Sequence, residues 1–213
     1  MDIYYLNNFS NLSPIISIVL FLGLYQFGSI LDNTLKINNF IISKNIWAHY
    51  PIISIIFILA FLSPFLYLKI LDPVFIKLTA YILFFSGFYL IYSFMRKFFV
   101  HDAINIFKSN DIYYYIFLIL ILNFFLISLS PITHADALDY HAPGSQYIIN
   151  NGKLPTNPLW FHGKLVGLGE LFSSIGFIVG AEQFGSLVQF STIFSIVQTF
   201  FDIKNKKINK NYY

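Results

Sequence analysis

The side chains able to do chemistry crowd into one stretch of this chain. Between Pro131 and Glu170 stand Asp136, Asp139, Tyr140, His141 and Glu170, with three of the five histidines (His134, His141 and His162). Asp136 and Asp139 are three positions apart, so on a helix they share a face. Paired in that way, carboxylates raise one another's proton affinity, which suits a general base. The same residues also suit a solvated turn in which an aspartate caps a short helix. His134, Asp136, Asp139 and His141 are of the types that ligate zinc or manganese. Their spacing matches no strict motif such as H-E-x-x-H, so no metal site and no cofactor is assigned. Glu170 lies in an apolar stretch, where a carboxylate either faces protein and water at membrane depth or sits in solvent at the interface. There is no Ser-His-Asp order, no phosphate-cradling glycine loop and no Walker pattern. With no cysteine in the chain, disulfides, thiol nucleophiles and thiolate metal sites are excluded.

These residues must be held by very apolar elements. The 213 residues are 57% hydrophobic and 11% charged, less than half the roughly 25% charge of a soluble domain. A bilayer core needs about 20 consecutive apolar residues as a helix, and several runs approach that length. The class expected is all-α: a polytopic helical membrane protein with about five spans. The spans are placed at about Leu12–Leu31, Pro51–Leu71, Val74–Met95, Ile112–Leu129 and Phe184–Phe201. The organisation that follows is helices over 1–130, an outer loop over 131–183, a final span over 184–201 and a basic tail over 202–213. Continuous apolar runs without alternation speak against a β-barrel. Pro14 suits a helix's first turn, Gly23 and Gly28 allow close helix contact, and Pro64 kinks the second span. Within the loop, Lys164 to Gly180 reads as a helix lying in the membrane interface, with Gly163, Gly167, Glu170 and Ser174 on one face. Its apolar face carries Leu165, Leu168, Phe172, Ile175 and Val179.

Charge orients the spans. Five crossings put Lys36, Lys44, Arg96, Lys97, Lys108 and Lys204, Lys206, Lys207 and Lys210 on one side. Lys69, Lys77, Lys153 and Lys164 fall on the other, and the two groups account for all 13 basic residues. The positive-inside rule puts the larger group in the cytoplasm and the 131–183 loop outside. The N-terminus lacks a basic n-region and a small-residue cleavage site, so its first apolar run is expected to be a retained span. No basic patch with interleaved aromatics points to nucleic acid.

The order of parts resembles the first outer loop of the GT-C membrane glycosyltransferases, in particular the bacterial protein mannosyltransferase and aminoarabinose transferase-like families. A span ends, Asp136-Ala-Leu-Asp139-Tyr140-His141 follows, Gly152 comes twelve residues after the tyrosine, and a short helix with Leu168-Gly169-Glu170 precedes a further span. The likeness covers about Ser128 to Phe200. Ala137 stands where the transferases often have a second acidic residue, and Val166 where a later proline is common. The resemblance implies transfer of a sugar from a polyprenyl-phosphate donor to an acceptor at the outer face of the bacterial inner membrane. Asp136 would be the catalytic group, deprotonating or orienting the acceptor hydroxyl. Asp139, Tyr140, His141 and Glu170 would bind substrate, and Lys164 would meet the leaving phosphate. Such enzymes have many more spans, so the chain is expected to be an N-terminal portion, a truncated product or a remnant, with a partner chain supplying the missing helices. The alternative is a non-catalytic membrane protein that binds lipid or a protein partner through the same loop.

Overall fold

The computed structural model describes residues 11–37, 46–98, 112–132, 141–155 and 164–210. Among these the chain is all-helical: α1 (Ser13–Leu35), α2 (Tyr50–Tyr67), α3 (Pro73–Phe98), α4 (Ile112–Ser128), α5 (Ala142–Asn151), α6 (Leu168–Phe177) and α7 (Phe184–Lys210), with a 3-10 turn at Ile46–His49. Three of the helices are long and apolar enough to cross a membrane: Ser13–Leu35, Tyr50–Tyr67 and Pro73–Met95. The expectation of about five is thus met only in part. The fourth and fifth expected spans hold shorter apolar stretches, Ile119–Ser128 and Phe184–Val197. The last helix also runs further than the expected end of its span, continuing to Lys210 through the basic residues.

The helix starts follow from local sequence. Pro14 and Pro51 stand in the first turns of α1 and α2, where a missing N–H leaves nothing unsatisfied. Asp72 starts α3: its carboxylate accepts the Val74 N–H at 2.8 Å, as an N-cap side chain does.

Small residues let the long helices approach. A Cβ on Gly23 would lie 2.0 Å from the carbonyl oxygen of Leu83, and one on Gly87 would lie 2.0 Å from that of Val19. α1 and α3 therefore cross backbone to backbone, as small residues permit in membranes. Gly28 does the same for α1 against Tyr50 at the start of α2, and Ser54 Oγ donates to the Leu24 carbonyl at 2.5 Å. Leu20, Leu24, Leu62, Leu66, Ile76 and Leu83 fill the core between these helices.

The contacts also give the directions of the helices. Ser13 meets Gln183 at 2.8 Å and Phe21 meets Phe190 with ring centroids 6.2 Å apart, so α1 and α7 run parallel. Ile132 meets Glu182 and Phe125 meets Phe190 at 5.6 Å, so α4 runs antiparallel to α7. His49 hydrogen-bonds Ser195 through its Nδ1, while Ile55 and Leu59 face the first part of α7, so α2 is antiparallel to α7 as well. Phe65 stacks on Phe75 across the α2–α3 turn. The start of α1, the α2–α3 turn, the end of α4 and the start of α7 gather at one end of the bundle.

At that end α5 and α6 pack together. The Leu71 N–H donates to the Gly152 carbonyl at 3.2 Å, tying the end of α5 to the α2–α3 turn. Gly152 has φ +62°, and a Cβ there would stand 2.0 Å from the Leu71 oxygen. α6 is shorter than the expected Lys164–Gly180 helix, spanning Leu168–Phe177 after a separate turn at 164–165. Of the two placements left for Glu170, the face that carries it and Ser174 takes the protein-facing one: both are buried, and so are Leu171, Phe172 and Ile175. α5 is what covers it.

Candidate functional site

Glu170 is the centre of the site. It is the third residue of α6, and its Oε2 accepts the N–H of the N-cap residue Gly167 at 2.5 Å. This is the backward reach of a capping box, and it also places a carboxylate at the positive end of the helix. Its Oε1 meets Nδ1 of His141 at 2.5 Å. The side chain of Glu170 is only 5% exposed, whereas that of His141 is 44% exposed. The carboxylate is thus sequestered but doubly hydrogen-bonded, while the imidazole presents its outer edge. A buried carboxylate stripped of such partners costs several kcal/mol, on the order of 3–5 for a fully buried pair.

Three features align the pair. Gly144 leaves room, since a Cβ there would meet Val166 at 2.6 Å and the Glu170 side chain at 3.3 Å. Ser174 Oγ donates to the Ser145 carbonyl at 3.0 Å, pinning α6 to α5. Ser145 Oγ donates to the His141 carbonyl at 2.7 Å, fixing the residue that carries the imidazole.

Both His141 and Glu170 line a cleft of about 520 Å³ between α2, α6 and α7. Its apolar wall includes Ile55, Leu59, Phe172 and Val188, and its polar groups include Ser173, Glu182, Ser186 and Gln189. Glu182 stands in the break before α7. Its Oε1 accepts the Ile132 N–H at 2.5 Å, and its own N–H donates to Ser13 Oγ at 2.9 Å. Ser13 in turn donates to Gln183 at 2.8 Å, so the start of α1 braces the residue that aims a second carboxylate at the cleft.

Of the residues singled out in the sequence, the structure brings His141 and Glu170 together. Lys164 is exposed in the turn before α6 and does not line the cleft. Asp136, Asp139 and Tyr140 lie outside the described residues, as do His134 and His162. The residues that flank 133–140, Ile132 and His141, both line the cleft. Among the described residues no group of three or more histidine or acidic side chains is placed to hold a metal ion. Glu182 and Gln189 are the residues that sequence reasoning missed. One signal was present: an amide, Gln189, inside a stretch apolar enough to be read as a span, with a carboxylate seven residues before it in the preceding break.

No curated protein and no solved structure matches the chain. A family model does match, over residues 84–212, and its description is DUF1420 N-terminal domain. The match takes in His141, Glu170, Glu182 and Gln189, and since it covers more than half of the sequence, the chain belongs to the DUF1420 N-terminal domain family.

Proposed function

We propose that the chain is a membrane glycosyltransferase, or the N-terminal portion of one, that takes a sugar from a polyprenyl-phosphate donor at the outer face of the bacterial inner membrane. The observation that carries this reading is the His141–Glu170 pair on a cleft at the end of the helical bundle. The pair falls in the loop whose motif resembles that of the GT-C enzymes, and Ile132 and His141, which flank residues 133–140, both line the same cleft. In this reading the acceptor oxygen attacks the anomeric carbon, the bond to the lipid phosphate breaks, and Asp136 takes the acceptor's proton. His141 and Glu170 hold the sugar beside it, with Asp139 and Tyr140 completing the binding set.

The helix directions support five crossings in a partial GT-C-like arrangement. α1, α3 and α7 run one way, α2 and α4 the other, which is the alternation that five crossings demand. On this reading the nine-to-four partition of basic residues is kept, and the positive-inside rule favours an outward-facing cleft.

The second reading, a non-catalytic protein that binds lipid or a partner, is favoured by one observation. No lysine or arginine among the described residues lines the cleft, so a leaving phosphate finds no cation there, and Lys164 would have to be replaced by a group from a partner chain.

The deciding experiment reconstitutes the purified chain and measures retention of polyprenyl-phosphate hexose against bare polyprenyl phosphate, together with sugar transfer. Preferential retention of the sugar-bearing lipid, lowered by His141→Ala, is expected. Equal retention of the two lipids would remove the sugar from this reading. Preferential retention without transfer, even when the remaining helices are supplied, would leave the second.

A further inference from the structure

The outer face of α4 holds one polar side chain in apolar surroundings. Ile121, Phe125 and Leu129 recur every four residues and pack against the core, with Phe125 meeting Phe190 of α7. Asn123 stands about 160° round the helix from Phe125, on the opposite face, beside Ile116, Ile119, Leu120 and Ile127. All five are exposed. From 116 to 127 Asn123 is the only polar residue, and 112–130 holds no charged one. Asn123 is five residues before the end of α4 at Ser128, so it lies about 7.5 Å along the axis from that end. That is further than an asparagine side chain reaches.

The helix itself satisfies only part of this amide. Ser128 Oγ donates to the Phe125 carbonyl and Ser130 Oγ to the Ile127 carbonyl, both at 2.7 Å, so each hydroxyl places its one hydrogen within α4. Asn123 does the same with one of its two hydrogens: Nδ2 donates to the Ile119 carbonyl at 2.8 Å. Among the described residues this is the one hydrogen bond of its side chain. The second N–H and the Oδ1 acceptor remain. The interior of a helix has no N–H to offer Oδ1, because each is bonded to the carbonyl four residues before it. Hydrocarbon offers none either. The donor has to come from a polar group at the same depth on a neighbouring helix.

Two properties of the face select that neighbour. It bears no charge, so nothing on it picks out a helix of opposite charge. Its one hydrogen-bonding side chain is an amide, which both donates and accepts and so complements itself. Copies of one chain enter the membrane the same way round. A two-fold axis along the membrane normal then sets each residue of the face against its own counterpart at the same depth. We infer that this face of α4 is the interface of a homodimer, in which Asn123 and the partner's Asn123 exchange amide hydrogen bonds between flanking isoleucines. A single asparagine on an apolar helix seam fixes register and partner number in coiled coils, and Asn123 has that setting, with Ile116 and Ile127 before and after it. The inference rests on α4 being a crossing, as in the five-crossing reading, and is independent of sugar transfer.

The test uses the whole chain in the membranes of the expressing cells, where all copies share one orientation. The sequence has no cysteine, so an oxidant can cross-link single cysteines placed along α4. Ile116→Cys and Ile127→Cys, within about 40° of Asn123 on the helix, should give disulfide-linked dimers. Leu122→Cys and Phe124→Cys, about 100° to either side, should not. At low expression Asn123→Leu should lower the cross-linking of the Ile116→Cys chain about tenfold, the equivalent of two interhelical hydrogen bonds. Because Asn123 bonds only within its own helix, this substitution leaves the protomer folded, and a melting temperature equal to that of the parent chain verifies it. Equal cross-linking at all four positions, no cross-linking at any, a different protein in place of the second copy, or indifference to Asn123→Leu would each overturn the inference. Leu122→Cys reads the crossing separately. Its ready labelling by an aqueous maleimide in permeabilised cells would remove α4 as a crossing and the interface with it, whereas a protected Leu122→Cys without dimers at Ile116→Cys would remove the interface alone.

Discussion

Nδ1 of His141 stands 2.5 Å from Oε1 of Glu170, although 29 positions separate the two residues. The contact joins the residue before α5 to the first turn of α6, and it supplies one of the two hydrogen bonds made to a carboxylate that is almost wholly buried. Its consequences for stability can be ranked. Removing the imidazole by His141→Ala leaves the carboxylate with the Gly167 N–H, and an unsatisfied buried acceptor costs about 1–3 kcal/mol. Glu170→Gln keeps the shape and a hydrogen-bonding oxygen, so it should cost less than His141→Ala. Glu170→Ala removes the helix cap as well, and opens a void against Gly144, so it should cost the most. Thermal unfolding of the three variants in one detergent checks the order. A Glu170→Gln variant less stable than Glu170→Ala would contradict it.

Two glycines with positive φ separate backbone strain from steric conflict. Gly152 (φ +62°) would place a Cβ 2.0 Å from the Leu71 carbonyl, whereas Gly180 (φ +76°) has nothing within 4 Å of such a Cβ. Gly180→Ala should therefore cost only the strain of the left-handed conformation, about 1 kcal/mol. Gly152→Ala should cost distinctly more, because the α2–α3 turn has to move and the Leu71–Gly152 hydrogen bond goes with it. The melting temperatures of the two variants make the comparison, and equal losses would mean that the contact with Leu71 is not maintained in the membrane.

The long helices were legible because each carries an unbroken apolar run, and part of their punctuation was legible too: Pro14 stands in the first turn of α1 and Asp72-Pro73 starts α3, whereas α2 runs through Pro64 to Tyr67. α5 was not read, although His-Ala-Pro-Gly-Ser-Gln-Tyr-Ile-Ile-Asn-Asn-Gly carries a proline at its start and a glycine at its stop. Missing α5 had a second effect. With no partner in view, the Glu170–Ser174 face of α6 looked like one left to the interface, when it packs on Ser145 and Gly144. Pairings such as His141–Glu170 and Ile132–Glu182 depend on how loops fold back over a bundle, and nothing in the spacing of residues 29 or 50 positions apart encodes that. Glu182 passed as part of a short break because its role depends on Ser13, at the other end of the chain.

The direction of the helices leads to a labelling experiment. The sequence has no cysteine, so single cysteines can be introduced without a background. Asn151 ends α5 at the end of the bundle that holds the cleft, and Asn209 lies near the far end of α7. With five crossings, an impermeant maleimide should label Asn151→Cys in intact cells and Asn209→Cys only after permeabilisation. Labelling of both from the same side would contradict the alternation of the helices across the membrane and, with it, the outward-facing cleft.

Activity is the last expectation. The described part of the cleft offers acceptors and hydroxyls but no lysine or arginine, so on the transferase reading it can meet a sugar's hydroxyls but gives a departing phosphate no cation. Transfer also requires the acceptor to be held against the donor's anomeric carbon, and a misplacement of about 1 Å loses about 100-fold in rate. The 213-residue chain alone should therefore bind a lipid-linked sugar and transfer it weakly or not at all. Where transfer is restored by a partner chain, Asp136→Asn should abolish most of it while leaving binding and melting temperature unchanged, because the amide keeps the shape and loses the base. His141→Ala should instead weaken binding and lower the melting temperature together, since its ring holds Glu170. Robust transfer by the isolated chain would show that no further helices are needed. Transfer that survives Asp136→Asn would remove that residue from catalysis and direct attention to Glu182, the second carboxylate on the cleft.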